Sequence, residues 1–270
     1  MSVRPSSGDG FGARGGFEAG GEAGGEAGGG RAGGPSRRRL LGWSIAGAAG
    51  LTALGALDPA LAAPAAGRRS GAVSRVRGAR PAAPANAIAL TIDDGPHPVW
   101  TPRILEVLRG NGVRATFFVI GVQAKAHPEL VRRVLAEGHT VGNHSLDHPT
   151  PFGAGSAATV AREISAAQAI ITAAGGVAPR YFRSPGGDWS PAVLAAAAAQ
   201  HLTPVGWSVD PRDWTRPGVA SIVRTLTGAR AGDILLCHDG GGDRSQTVEA
   251  LRQVLPALRA RGRSFTFTSL

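Results

Sequence analysis

The stretch Ala87-Ile88-Ala89-Leu90-Thr91-Ile92-Asp93-Asp94-Gly95-Pro96 reads as a buried strand that ends abruptly in two acids and a turn. Side chains alternate along a strand, so adjacent Asp93 and Asp94 point in different directions from one strand end. One can ligate a metal while the other reaches a water beside it. Gly-Pro then turns the chain away and leaves the pair at the mouth of the strand. Acids before Gly-Pro are also ordinary turn residues, so the pair needs partners elsewhere in the chain to carry chemistry.

Downstream the texture alternates. Strand-like segments are expected at 87–92, 115–120, 140–143, 181–184, 204–208, 233–238 and 264–268. Helix-like stretches at 101–109, 128–137, 157–173, 191–200, 219–229 and 245–261 lie between them. The last has Val248, Leu251, Val254, Leu255 and Leu258 at helical spacing. Alternation of this kind implies a parallel sheet covered by helices. Seven strands can make an open doubly wound sheet or a barrel, and pattern alone does not choose. Either way, functional groups gather at the carboxyl ends of the strands.

Four more polar clusters fall at such ends. His144-Ser145-Leu146-Asp147-His148 offers two imidazoles which, with Asp94, make a two-histidine, one-carboxylate set with room for water and substrate. Phe182-Arg183-Ser184-Pro185-Gly186-Gly187 sets an arginine before a glycine turn. Asp210-Pro211-Arg212-Asp213-Trp214 brings two acids and an indole. Leu235-Leu236-Cys237-His238-Asp239 ends a strand with a histidine. Each has a plain structural reading as well: two surface histidines on a loop for His144 and His148, a surface ion pair for Arg183, core for Trp214, a capping role for His238.

Taken in order, the five clusters resemble the five motifs of the polysaccharide deacetylase family, carbohydrate esterase family four, over residues 87–270. The resemblance implies a distorted (β/α) barrel of about seven parallel strands in a single catalytic domain. It also implies one divalent metal ion, zinc first, with cobalt or nickel as substitutes. Asp93 would be the general base, Asp94, His144 and His148 the metal ligands, and Arg183 the partner orienting Asp93. Asp213 would hold His238 charged as the proton donor, and Trp214 and Leu236 would line an apolar pocket for the acetyl methyl. Gly186 stands where many members carry an aromatic residue. The main-chain N–H that serves the oxyanion there is retained, but an aromatic wall is lost, which implies a more open or differently selective cleft. Ile92 replaces a frequent Phe within the strand, away from the chemistry.

The first 85 residues read differently. Residues 1–35 are rich in Gly, Ala, Glu, Arg and Ser and repeat Gly-Gly-Glu-Ala at 20–23 and 24–27. So little apolar surface implies disorder. Residues 36–62 run from Arg37-Arg38-Arg39 through an apolar stretch, Leu40 to Leu57, to Ala60-Leu61-Ala62. This order of basic region, apolar region and small-residue site resembles a twin-arginine export signal. A retained anchor is the competing reading, which its Gly and Ala content disfavours. Residues 63–85 read as a Pro/Ala/Arg-rich flexible linker, and 86–270 as the catalytic domain.

Of the formal charge of +10, the first 85 residues carry +6 and the domain only +4, so the basicity does not mark a nucleic-acid surface. One cysteine excludes an intrachain disulfide, so the core must hold the domain together. The expected protein is secreted or wall-associated and contacts membrane only through its signal. No nucleic acid or stable protein partner is expected. Its substrate would be an acetylated polysaccharide or oligosaccharide, with N-acetylglucosamine units of peptidoglycan or chitin-type chains first. O-deacetylation of xylan, or an inactive wall-binding role, are the alternatives.

Overall fold

The computed structural model describes residues 71–261, 266–267 and 269–270. The expected disordered start, the export signal and the first part of the linker lie outside these residues. No described helix is long and apolar enough to cross a membrane.

Among the described residues, seven parallel strands form the sheet: β1 (Ala87–Asp93), β2 (Thr116–Val119), β3 (Thr140–Asn143), β4 (Tyr181–Phe182), β5 (Thr203–Pro204), β6 (Ile234–His238) and β7 (Thr266–Phe267). Six follow the order β5-β4-β3-β2-β1-β6, and β7 pairs with the start of β1. Helices α1 (Val76–Ala79), α2 (Trp100–Gly110), α3 (Gly121–Ala126), α4 (Pro128–Ala136), α5 (Ala157–Gly175), α6 (Pro191–Ala199), α7 (Val219–Thr227) and α8 (Ser245–Ala260) fill the connections. The result is the distorted barrel.

Strand β1 is buried along its whole length, as a central parallel strand covered on both faces must be. Its even positions, Ile88, Leu90 and Ile92, join the outer core with Ile104, Leu105 and Leu108 of α2 and Leu251 and Leu255 of α8. Fully burying each such side chain contributes about 1.5–3 kcal/mol. Its odd positions face inward, where Ala87 and Ala89 meet Phe118, Val205 and Ile234. This alternation sends Thr91 and Asp93 into the barrel.

Local chemistry sets the helix ends. Ser156 caps α5 by accepting from the Thr159 N–H, and Gly176, at φ 75°, closes it. Ser190 caps α6 ahead of Pro191, and Pro128 starts α4. Helix α3 departs from the sequence reading: its one short turn and a half, opening on Gly121, carries no periodic signal. Strands β4 and β5 are shorter than expected. Beyond β5 the chain continues as isolated bridges, Val73 to Val205 and Val209 to Leu235.

The Val73 bridge also involves the segment read from the sequence as the end of the linker. Residues 71–85 belong to the fold: Val73 N–H donates to Pro204 O and Gly206 N–H to Val73 O, while Val76 N–H donates to Gly232 O. Val76 is fully buried, and Arg75 pairs with Asp233. This segment stitches the seam between the continuation of β5 and the start of β6.

Candidate active site and metal centre

The carboxyl ends of β1, β3, β4 and β6 converge on one site. Asp93 closes β1, and Asp94 follows at φ 76°, which throws its carboxylate to the other side of the strand end. Gly240, after β6, presses on this turn so closely that a Cβ there would lie 2.1 Å from Asp94 O. Only glycine lets β6 approach so near.

The His144–His148 loop follows β3. His144 Nδ1 lies 2.7 Å from the Arg183 carbonyl oxygen. A carbonyl only accepts, so Nδ1 carries the proton and Nε2 presents its lone pair to the site. The Nε2 atoms of His144 and His148 each stand 3.4 Å from Asp94 Oδ1. All three ligand atoms lie within 4.8 Å of one another. Nitrogen and oxygen ligands at about 2.0–2.1 Å from a tetrahedral zinc are spaced roughly 3.3 Å apart, so the observed separations fit an ion. A second observation agrees. Asp94 Oδ1 is buried and has no hydrogen-bond donor, a costly state for a carboxylate unless a cation faces it. Burial works against the charge on Asp94, yet the surrounding imidazoles, His144 first and then His238 and His148, hold its carboxyl below the usual range. Burial also opposes charge on His144, but Asp93 and Asp94 raise its pKa. His148 is lowered, by burial and then by the neighbouring His144.

Arg183 runs through the barrel interior, fully buried. Its Nη1 donates to Asp93 Oδ1 and to Thr91 Oγ1, both at 2.7 Å, its Nη2 to Gly206 O and its Nε to Val205 O. The guanidinium carbon also sits 4.2 Å from the Phe118 ring centre. Asp93 Oδ2 stays 3.7 Å from His144 Nε2, beside the candidate ion position.

His238 ends β6 directly across from Asp93 in the strand register. Its Nδ1 is 2.7 Å from Asp213 Oδ1, while Asp213 Oδ2 accepts from the His238 N–H and the Thr247 hydroxyl. Burial would depress the imidazole, but the hydrogen bond and charge of Asp213, with Asp94 and Asp93 beyond, raise its pKa to about 9. It is therefore cationic at neutral pH.

An acid beside a clamped arginine, an Asp-His-His triad and a charged histidine thus share one rim. Residues 80–205 match the sequence profile of the family described as polysaccharide deacetylase. A chitooligosaccharide deacetylase of Sinorhizobium fredii is 44% identical over 189 residues, 66% of this chain and 88% of that protein. A peptidoglycan-N-acetylglucosamine deacetylase of Bacillus cereus is 43% identical over 185 residues, 67% of this chain and 86% of that protein. The solved family 4 carbohydrate esterase of Streptomyces lividans superposes with a TM-score of 0.62 at 35% identity, over 67% of this chain and 91% of that one. The chain belongs to the polysaccharide deacetylase family.

Within this family member the remaining expected residues are spread unevenly around the site. Leu236 lies on the inward face of β6, two residues before His238, and is buried. Trp214 is 49% exposed in a short 3-10 turn, Asp213–Thr215, with Arg212 stacked over its ring, so it is not a core residue. Gly186 is exposed at φ 61°, and a Cβ there would meet nothing within 4 Å. Its neighbour Gly187, at φ 63°, is confined instead, since a Cβ would press on the Trp207 ring at 2.6 Å. Trp189 packs edge-on against Phe182 in the core. Cys237 is fully buried, and burial followed by nearby acids pushes its thiol well up, which makes it inert.

The sequence reading missed several supporting residues. Thr91 and Thr247 each hold a site side chain through a hydroxyl, and threonine inside a strand or helix gives no warning of this. Asp239 is buried behind the site, takes the Thr101 hydroxyl, and is raised to about 7 by burial despite that bond. Glu163 did carry a signal: it interrupts the apolar stripe of α5 between Val160, Ile164, Ala167 and Ile171.

Proposed function

We propose that this chain removes acetyl groups from N-acetylglucosamine units of a polysaccharide, in chitin-type or peptidoglycan chains, with a divalent ion held by Asp94, His144 and His148. The observation that carries the reading is the donor-free Asp94 Oδ1 facing two imidazole nitrogens at 3.4 Å, one strand position from the clamped Asp93. The named relatives act on chitooligosaccharide and peptidoglycan, which supports the substrate class. The nitrogen-rich donor set suits zinc first, then cobalt or nickel.

An ion bound there supplies Lewis acidity, which for zinc brings the pKa of a water down to about 7. Asp93 would take the proton from a water attacking the amide carbon, with Arg183 keeping the carboxylate aimed. The Gly186 main-chain N–H is assigned to the developing oxyanion. When the C–N bond breaks, the amine nitrogen takes a proton from His238, which Asp213 keeps charged. Acetate and a free amino sugar leave, and solvent returns Asp93 and His238 to their starting states. Leu236 and Trp214 would flank the acetyl methyl.

We further assign an extracellular or wall location from the 36–62 export pattern. The deciding experiment is acetate release from N-acetylglucosamine oligomers by the purified full chain, before chelation, after it, and with zinc restored. Release lost on chelation and regained with zinc supports the assignment. A folded protein that binds zinc yet releases acetate only from acetylated xylan, or from nothing, sinks it.

A further inference from the structure

We propose that Glu163 of α5 is a positioning residue for the metal site, setting the spacing of the His144 and His148 imidazoles through the backbone between them. The inference rests on the metal reading of those two histidines.

The loop is held in an unfavourable shape. Ser145 at φ 69° and His148 at φ 61° both sit in the left-handed region, which non-glycine residues adopt only when their surroundings compel it. Every main-chain N–H from 144 to 148 has an acceptor. His144 donates to Val119 O, Ser145 to Asn143 Oδ1 and His148 to Ser145 Oγ. The two central ones, Leu146 and Asp147, both donate to a single atom, Glu163 Oε2, at 3.1 and 3.2 Å. On the other side, the first N–H groups of α3 reach the Ser145 and Leu146 carbonyls.

Of these fasteners, Glu163 alone brings an ionisable acceptor from a different element to the midpoint between the ligands. It is a buried acid, 4% exposed, on a face otherwise given to Val160, Ile164 and Ala167. Burial raises the pKa of this acid, the Asp147 carboxyl adds to the rise, and the two amide donors oppose both in part. Removing it frees two peptide units at the centre of a strained turn. The ligand at the far end, His148, is the less buried of the two histidines and has the most room to drift.

The test is zinc affinity by chelator competition in the full-length protein, with the melting temperature of each metal-free form measured alongside. Glu163→Ala is expected to raise the zinc dissociation constant by about 10–100-fold, the usual effect of removing an outer-shell support. Glu163→Gln, which keeps an acceptor oxygen at the same reach, is expected to recover most of that loss. Val131→Ala, a fully buried core change on α4, serves as the control for general loosening. A wild-type dissociation constant in Glu163→Ala overturns the proposal, as does an equal loss in Val131→Ala. Should Glu163→Ala fail to fold, Glu163→Asp keeps the charge but falls short of both amides. Unchanged affinity in that variant overturns the proposal too. A wild-type protein that holds no zinc sinks the metal reading itself, whereas zinc-binding wild type beside unchanged variants sinks only the role of Glu163.

Discussion

On the Asp94, His144 and His148 side, ligand atoms converge and a buried carboxylate oxygen is left without a donor, while on the Asp93–Arg183 and Asp213–His238 side the charged groups are paired at 2.7 Å. Under the proposed reading, the first half is the part that a bound ion would complete. The second is complete and sets protonation states. Backbone differs as well. Asp94, Ser145 and His148 are all held at positive φ, whereas Asp93, Arg183 and His238 stand on or beside regular strands. Three left-handed residues and the donor-free Asp94 Oδ1 thus meet at one place, where a bound ion would repay them.

The sharpest way to break this contrast is to remove a ligand. Asp94→Ala, His144→Ala or His148→Ala should abolish zinc binding in chelator competition and acetate release together. Asp93→Asn should separate the halves, because the amide still accepts from Arg183 and the ligands are untouched. Zinc affinity should stay within a few-fold of wild type while turnover falls by about 10²–10⁴-fold. Retained turnover would show that the paired half is not where protons move.

A smaller effect is expected at Asp213. The His238 pKa stands near 9, above its ordinary 6.5, so activity needing the charged imidazole should fall on an alkaline limb near pH 9. Asp213→Asn should draw that limb down toward 6.5, measured as the pH dependence of kcat. The same pair contributes stability that is full below about pH 6.5 and lost as pH rises through about 9. Urea unfolding midpoints across that range should fall in wild type and flatten in Asp213→Asn. The least effect on the site should come from the far end of the sheet. Arg75→Ala removes a half-exposed partner of Asp233, and a loss of about 0.2–1 kcal/mol with unchanged zinc affinity is expected.

Much of this was readable in advance because the fold and the site both speak through local pattern. The run from Ala87 to Ile92 is apolar since both faces of β1 are covered, and the acids after it are visible because they break that run. The choice between barrel and open sheet came from the resemblance of the five motifs and not from the pattern of strands and helices. It depends on the seam, where residues 73–76 bridge two strands through single backbone pairs, and Ala-, Arg- and Gly-rich sequence can do this without a periodic signature. Removal of residues 1–85, harmless if they were only leader and linker, is therefore expected to lower stability by exposing Val76 and opening that seam. Thr247 was silent for another reason. Its hydroxyl reaches Asp213 from a helix whose sequence shows only amphipathic spacing.

The order of roles along the chain has a consequence for biosynthesis. Both acids of β1 and both histidines are made early, and the helix bearing Glu163 follows them closely. His238 and its threonine-braced partner Asp213 come from the last third, and β6 must insert beside β1 to place His238 at the site. A nascent chain would acquire the means to capture an ion well before it could use one, and turnover would be the last property that translation confers.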